Sequence, residues 1–326
     1  MLGMNTAAGH YLPTTHDGDY MKPRKGDFGR NQFFMAHCLG NDYVVLKDDD
    51  IDFEISPRIV QLICNRHHGL GSDGLLLDVG STCGEFAVRI FNPDGSEAEK
   101  SGNGIRIFAC YLFLTGQTTD TEFTIKTVGG IVSVRLELNE RHDVIGAAVS
   151  MGKATFAPED LPCNFLAEEL LLQPIEAAGR SLLFSGVSVG NPHCVLFASS
   201  SSIWTRQDLL QLGPVLERHP IFPHRVNVQL AKVESRDSIR ILIWERGAGE
   251  TEASGSSACA TAAAGVRLGL VESPVAVHAP GGTQYVVVDS SFRLVLTGPV
   301  TAVASGSFCS SFISYLSPTL PAAGPG

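Results

Sequence analysis

Residues 97–104 read EAEKSGNG and residues 250–257 read ETEASGSS, so the pattern Glu-x-Glu-x-Ser-Gly occurs twice, 153 residues apart. An apolar stretch follows each copy: IRIFACYLFL at 105–114 and ACATAAAGVRLGL at 258–270. Both stretches are apolar or small around most of their circumference, which is typical of helices in a protein interior. The sequence therefore predicts two equivalent buried helices, each opened by a Ser-Gly turn and wrapped by strands.

Two further patterns repeat at nearly the same spacing. The segment 40–45 (GNDYVV) matches 190–195 (GNPHCV) at Gly, Asn and Val, 150 residues later, and the Gly-Gly pair at 129–130 recurs 152 residues later at 281–282. Three matches in one order indicate an internal duplication. Each Gly-Gly pair lies between strand-like segments, which predicts a β-hairpin whose glycines supply the positive φ angles of a tight turn.

Composition narrows the range of partners. The chain has 326 residues, 44% of them hydrophobic and 18% charged, with a net charge of -10 and a pI near 5.4. This acidity argues against non-specific binding to nucleic acid or to anionic membranes. No apolar stretch approaches the roughly 20 residues of a membrane helix, and no signal segment opens the chain. We therefore expect a cytoplasmic protein that acts on a small molecule.

The eight cysteines are scattered without CxxC pairs, so the sequence predicts neither a metal site nor a disulfide framework. Most of them are expected to be reduced and buried. Cys110 and Cys259 lie inside the two apolar helices, several residues past the Ser-Gly turns, and are predicted to be buried structural thiols.

The two Ser-Gly turns are the candidate site. Ser101 and Ser254 each precede a predicted helix, where free backbone N–H groups and the helix dipole favour an anion. Two such N-termini that face one point would hold a carboxylate, and a duplicated chain places equivalent turns on either side of the cleft between its domains. Both serines can also be simple N-caps, and the two roles are compatible.

Six long motifs resemble the diaminopimelate epimerase family, and the resemblance runs from about residue 31 to about residue 298. They are HCLGNDYVVL (37–46), RHHGLGSDGLL (66–76), FNPDGSEAEKSGNGIRIFA (91–109), VSVGNPHCVLF (187–197), FPHRVNVQL (222–230) and WERGAGETEASGSSACA (244–260). The resemblance implies an isomerase that works without pyridoxal phosphate or metal. It also implies an α/β (α+β) fold of two pseudo-symmetric domains, each a curled, mostly antiparallel sheet around a central helix.

The resemblance and the duplication together predict the domain boundaries. Residues 31–121 together with about 298–315 would form the first domain, because a short late segment returns to it, and residues 122–297 would form the second. Residues 1–30 and 316–326 are expected to be a flexible extension and a flexible tail. A homodimer is consistent with the family.

In the family, one cysteine removes the substrate's α-proton and another delivers a proton to the opposite face. The matching positions here hold Ser101 and Ser254. A helix N-terminus can bring a thiol into its working range, whereas an alcohol is much less acidic and needs a neighbour to take its proton. The resemblance implies His193 and Glu245 as those helpers; each could instead be an ordinary hydrogen-bonded structural residue.

The resemblance also implies a set of substrate-binding positions, namely Asn41, Asn92, Gly102, Asn103, Asn191, Asn227, Glu245, Arg246, Gly255 and Ser256. Arg246 could grip a carboxylate through two hydrogen bonds, and Glu245 could pair with an ammonium group. Asn41, Asn92 and Asn191 also suit turns. Position 74 holds glycine in this chain, whereas some members of the family carry a larger polar residue there.

Three functions fit these residues. The first is an epimerase that converts LL- to meso-diaminopimelate, a step of lysine biosynthesis, or acts on a similar amino acid, its serines being either natural or introduced in place of cysteines. The second is a divergent enzyme that catalyses another isomerisation, an elimination or a cyclisation on a carboxylate-bearing metabolite. The third is an amino acid binder without turnover.

Overall fold

The computed structural model describes residues 29–82 and 85–316, so the extension predicted for residues 1–30 lies outside it except for residues 29 and 30, and the tail except for residue 316. The first half of the described chain folds into the following elements: β1 Gln32–Cys38, β2 Asn41–Lys47, α1 Pro57–Cys64, β3 Leu75–Thr82, β4 Glu85–Phe91, β5 Glu97–Ala98, α2 Gly102–Leu114, β6 Glu122–Thr127, β7 Gly130–Leu138 and β8 Val144–Lys153.

The second half repeats this order and adds three elements. It consists of β9 Gln173–Ala177, β10 Arg180–Ser188, β11 Pro192–Phe197, α3 Arg206–Glu217, β12 Asn227–Ser235, β13 Ser238–Glu245, β14 Gly249–Thr251, α4 Gly255–Arg267, β15 Val275–Ala279, β16 Gly282–Val288, β17 Arg293–Pro299, β18 Thr301–Ser307 and α5 Ser310–Leu316. The run from β1 to β8 corresponds to the run from β10 to β17, and both contain one helix between the second and third strands and one before the sixth.

Strand pairing repeats in the same way. The pairs β2–β3 and β4–β6 are parallel, as are their counterparts β11–β12 and β13–β15. The remaining pairings are antiparallel, so each half is a mostly antiparallel curled sheet. The predicted α/β (α+β) class and its duplicated architecture are confirmed.

Strand pairing joins the halves at two places. The equivalent strands β8 and β17 pair antiparallel with each other, from Lys153 opposite Arg293 to Gly146 opposite Pro299. After β17 the chain returns to the first half, where β18 pairs antiparallel with β1. The domain boundaries at residues 121, 122, 297 and 298 stay a prediction.

The helices α2 and α4 lie in the interior, as predicted, and belong to one continuous hydrophobic core. Every residue from Gly102 to Leu112 is buried. Both helices begin three residues before the predicted apolar stretches, at the glycine that follows each serine. Helix α4 ends at Arg267 rather than at residue 270, since Gly269 adopts a left-handed φ of 68°.

The Gly-Gly turns at 129–130 and 281–282 contact the segments that lead into these helices. Only the second glycine of each pair has a positive φ, of 107° and 141°. The first glycine instead approaches the loop before the buried helix and donates its N–H to the carbonyl oxygen of Glu99 (2.9 Å) or Glu252 (2.8 Å). The repeated glycines therefore brace the segments that lead into the two serines.

Most described cysteines are buried, as predicted: Cys38, Cys64, Cys110, Cys194 and Cys259 are buried, Cys163 is half-buried and Cys309 is exposed, and each of these is a free thiol. Burial raises the pKa of Cys110 and of Cys259 to about 12. Within residues 29–82 and 85–316, every helix is too short or too polar to cross a membrane.

Candidate active site

The N-termini of α2 and α4 lie close together. Ser101 caps α2 and Ser254 caps α4, both with extended backbone angles (φ -140°, ψ 118° and φ -147°, ψ 124°). A Cβ built on Gly255 would lie 3.9 Å from the Cα of Gly102. The duplicated turns thus present their free N–H groups and positive helix ends to the same region.

Ser101 has two hydrogen-bond partners. Its Oγ accepts from the Gly104 N–H at 3.1 Å, the expected N-cap bond. Its Oγ also lies 3.2 Å from the hydroxyl of Tyr43, on β2. Burial raises the pKa of Tyr43 to about 12, against the opposing effect of the hydrogen bond with Ser101 and with a smaller contribution from the carboxylates of Glu245 and Asp73, so the phenol is protonated near neutral pH. No local sequence pattern marks Tyr43 as a site residue.

Ser254 lies beside a carboxyl group instead of a phenol. Its Oγ accepts from the Ser257 N–H at 3.5 Å and lies 3.4 Å from the Ser256 Oγ. Its hydroxyl also interacts with Glu245, whose Oε1 accepts a hydrogen bond from the Thr251 hydroxyl at 3.2 Å. Burial raises the pKa of Glu245, an effect that these hydroxyl groups oppose and the charge of Asp73 reinforces.

His193 lies on β11 and is fully buried. Its Nε2 is 2.9 Å from the Oδ1 of Asn191. Burial lowers the pKa of His193 to about 3, and the positive charge of Arg246 contributes in the same direction. The ring is therefore neutral at physiological pH, and it fixes the side chain of Asn191 rather than carrying a charge into the site.

A chain of polar side chains runs through the first half of the site. Arg106 donates to the Oδ1 of Asn103, whose Nδ2 donates to the Oδ1 of Asn41 at 2.9 Å. Asn41 in turn donates to Asp73 at 3.3 Å, and Asp73 pairs with Arg66 at 2.8 Å. The amides of Asn41 and Asn103 are thereby held in one orientation.

Arg106 is completely buried, although it lies within the apolar stretch of α2. With the amide of Gln284 oriented oxygen towards arginine, Gln284 accepts from Arg106 at 2.9 Å and donates to the carbonyl oxygen of Ser254 at 3.3 Å. Arg106 thus connects α2 to the backbone that carries the second serine. A positive charge buried under the two N-termini strengthens their attraction for an anion.

Hydrogen bonds to Asn227 and Glu217 fix the turn that carries Glu245 and Arg246. Asn227 accepts from the Arg246 N–H and donates to the Pro192 carbonyl oxygen, both at 2.9 Å. Glu217 is buried at the end of α3 and accepts from the Trp244 indole at 2.9 Å and from the Gly247 N–H at 3.0 Å. Glu217 could not be identified from sequence, because it lies on a different element from the turn that it fixes.

Not every predicted residue joins this group through its side chain. Asn92 is exposed and uses its amide within its own turn, where it donates to the Ser96 Oγ at 2.9 Å. Arg246 is exposed, and its guanidinium group donates a hydrogen bond to the His224 carbonyl oxygen at 3.4 Å. The described part of the chain contains no cluster of His, Cys, Asp and Glu side chains suited to a metal ion.

Comparison with known proteins agrees with the duplicated geometry. The sequence profile described as diaminopimelate epimerase matches the chain in two blocks, residues 33–157 and 185–303. The chain belongs to the diaminopimelate epimerase family. The two blocks of the match correspond to the two halves that meet at Ser101 and Ser254.

Curated relatives in this family are similar over nearly their whole length. Diaminopimelate epimerase 2 of Nostoc sp. is 42% identical, covering 84% of this chain and 94% of its own length. Diaminopimelate epimerase of Moorella thermoacetica is 39% identical, covering 85% and 98%. This family member is therefore an isomerase of the amino acid epimerase and racemase type.

The fold extends to more distant solved structures. A hydroxyproline epimerase from Agrobacterium vitis, determined with bound trans-4-hydroxy-L-proline, superposes with a TM-score of 0.62 over 84% of this epimerase-family chain and 90% of its own. At 14% sequence identity the likeness shows the fold alone.

Proposed function

We propose that this isomerase inverts one α-carbon of diaminopimelate, converting the LL to the meso isomer, between the N-termini of α2 and α4. The observation that carries the proposal is the pair of equivalent serines, Ser101 and Ser254, at two helix N-termini that meet. The family places its two catalytic cysteines at these positions. A proton acceptor on one face of the α-carbon and a donor on the other are sufficient for inversion.

The substrate's α-carboxylate would bind the free N–H groups of the two helices. These belong to Gly102 and Asn103 on one side and to Gly255 and Ser256 on the other. Both helix dipoles favour an anion there, and the buried Arg106 adds a positive charge below. As α-proton removal places negative charge on the substrate, the same groups would stabilise the carbanion.

The distal amino acid group of diaminopimelate would bind at the turn that carries Glu245 and Arg246, beside the second serine. Arg246 would hold its carboxylate and Glu245 its ammonium group, with Asn41, Asn92, Asn191 and Asn227 around them. The exposed guanidinium group and the carboxylate beside the second serine support this direction of binding. L-Lysine, which lacks the distal carboxylate, would then be a poor substrate.

An alcohol is a weaker acid than a thiol, so each serine needs a neighbouring group that takes up or supplies a proton. Ser254 would take the α-proton while it passes its own hydroxyl proton to Glu245, with which it interacts. Ser101 would donate a proton to the other face. His193, buried and neutral, would orient Asn191. We further infer that the reaction proceeds without pyridoxal phosphate, that the enzyme acts in the cytoplasm, and that it forms a homodimer.

Conversion of purified substrate isomers tests this function. We expect LL-diaminopimelate to give meso-diaminopimelate, and the reverse, when the mixture is separated by chiral chromatography. The Ser101→Ala/Ser254→Ala double variant is the negative control, and L-lysine is the control for the distal group. Conversion of neither diaminopimelate isomer, with isomerisation, elimination or cyclisation of another carboxylate-bearing metabolite, would favour the divergent enzyme.

A further inference from the structure

Tyr43 occupies the place in the first half that His193 occupies in the second. It lies two residues after Asn41, as His193 lies two residues after Asn191, and the strands β2 and β11 that carry them correspond in the duplication. The site is therefore symmetric in its serines but asymmetric in the groups around them. A phenol accompanies one half and an imidazole the other.

The ring of Tyr43 reaches Ser101 because Gly74 leaves room for it. A Cβ built on Gly74 would lie 2.4 Å from the Cε1 and 2.8 Å from the Cδ1 of Tyr43. Any larger residue at position 74 would have to displace the ring. Tyr43 is also buried, with 7% of its surface exposed, so its hydroxyl is held 3.2 Å from the Ser101 Oγ.

The hydrogen-bond capacity of a serine hydroxyl determines what this contact does. A hydroxyl group has one proton to donate and two lone pairs that accept. One lone pair of Ser101 accepts from the Gly104 N–H. When Tyr43 donates to the second lone pair, Ser101 can only donate its own proton elsewhere, towards the space in front of the helix.

The surroundings of Tyr43 leave it the proton that this direction requires. Burial raises the pKa of the phenol and the nearby Glu245, Asp73 and Cys38 reinforce that effect, whereas the hydrogen bond with Ser101 opposes it. The phenol therefore stays protonated and can donate to Ser101. At Ser254, by contrast, the nearby carboxyl group of Glu245 can accept a proton.

We propose that Tyr43 is a positioning residue that fixes Ser101 as the proton donor of the site. The inference rests on the proposed epimerisation. The α C–H bond breaks as its proton passes to the Ser254 Oγ, whose own proton passes to Glu245. The electron pair left on the α-carbon takes the proton of Ser101, and Tyr43 gives its proton to Ser101. Water then returns a proton to Tyr43 and removes one from Glu245.

The first test is the Tyr43→Phe variant, which keeps the ring and removes only the hydroxyl group. We expect kcat to fall on the order of tenfold to a hundredfold, as for loss of a proton-transfer partner, while KM changes less than about twofold. Tyr315→Phe, at an exposed position of α5, is the matched control and should retain the full rate. A kcat of Tyr43→Phe equal to that of the control would overturn the proposal.

A second test does not depend on turnover. In a Ser101→Cys background, the pH dependence of alkylation at residue 101, located by peptide mass spectrometry, gives the pKa of that thiol. A donor lowers this value, so Tyr43→Phe should raise it by about 0.5 to 1 pH unit. In a Ser254→Cys background the same substitution should leave the thiol at 254 unchanged. Equal behaviour at both positions would refute the role of Tyr43, whereas an inert wild type with the expected shift would refute only the proposed epimerisation.

Discussion

The guanidinium group of Arg106 fills the space beside Gly298: a Cβ built on that glycine would lie 1.8 Å from the arginine Nη1. Arg106 belongs to α2, and Gly298 lies on β17, the strand that pairs with β8 across the two halves. The absence of a side chain at residue 298 thus allows a charged group to be buried where the halves join.

Replacement of this glycine should destabilise the protein. Gly298→Ala would force Arg106 out of a closed position and break its contacts with Asn103 and Gln284, so we expect the free energy of unfolding to fall by about 2–4 kcal/mol. Urea denaturation measures the loss. Gly29→Ala, whose Cβ would meet nothing closer than 3.5 Å, is the control and should change stability by less than about 0.5 kcal/mol. Equal stability of the two variants would contradict this packing.

Glu217 should affect substrate binding from outside the site. The substitution Glu217→Gln replaces one of two acceptor oxygens by an NH2 group, which would face the Trp244 indole or the Gly247 N–H, both donors. The turn that carries Glu245 and Arg246 would loosen, and we expect KM for diaminopimelate to rise about tenfold. Steady-state kinetics of Glu217→Gln measure this change, and Glu272→Gln, a substitution at an exposed carboxylate, is the control. An unchanged KM in both variants would show that Glu217 does not affect substrate binding.

The pH dependence of kcat/KM should follow the ionisation of Glu245. Since burial raises its pKa and only the ionised form accepts a proton, the acidic limb of kcat/KM should lie above the ordinary range of glutamate. Thr251→Val removes a hydrogen bond that favours the ionised form, so the pKa should rise further and the limb should move to higher pH. Thr301→Val, at an exposed position of β18, is the control. A limb that stays in place, or moves to lower pH, would exclude Glu245 as the acceptor.

The native cysteines should not replace the missing thiols. Because burial raises the pKa of Cys110 and Cys259 to about 12, neither should react with iodoacetamide near pH 8 in the folded protein, whereas the exposed Cys309 should react readily. Peptide mass spectrometry gives the extent of labelling at each position, and labelling in urea provides the control for accessibility. Rapid modification of Cys259 in the native protein, with loss of activity, would assign it a role in the reaction.

The duplication and the two buried helices could be predicted from sequence because each leaves a local signal: repeated Gly, Asn and Ser residues, and apolar stretches too continuous for a surface helix. The N-cap positions of Ser101 and Ser254 followed from the same signals. These features depend on residues close together in the chain.

The side-chain contacts of the site could not be predicted in this way. The contact of Tyr43 with Ser101 depends on the missing side chain at Gly74, and the burial of Arg106 depends on Gly298, which lies on a strand of the other half. In sequence, Arg106 is one charge within an apolar stretch. Such contacts are set by strand register and by packing between distant segments, for which a single sequence carries no local pattern.

The most direct test of the central claim is proton NMR of LL-diaminopimelate in D2O, with the unmodified protein and with the Ser101→Cys/Ser254→Cys double variant. We predict loss of the α-proton signal with the unmodified protein, as two alcohols exchange it during inversion, and faster loss with the double variant. Exchange only in the double variant would mean that the site binds substrate but that its alcohols do not turn it over. A persistent α-proton signal with both proteins would contradict diaminopimelate epimerisation at this site.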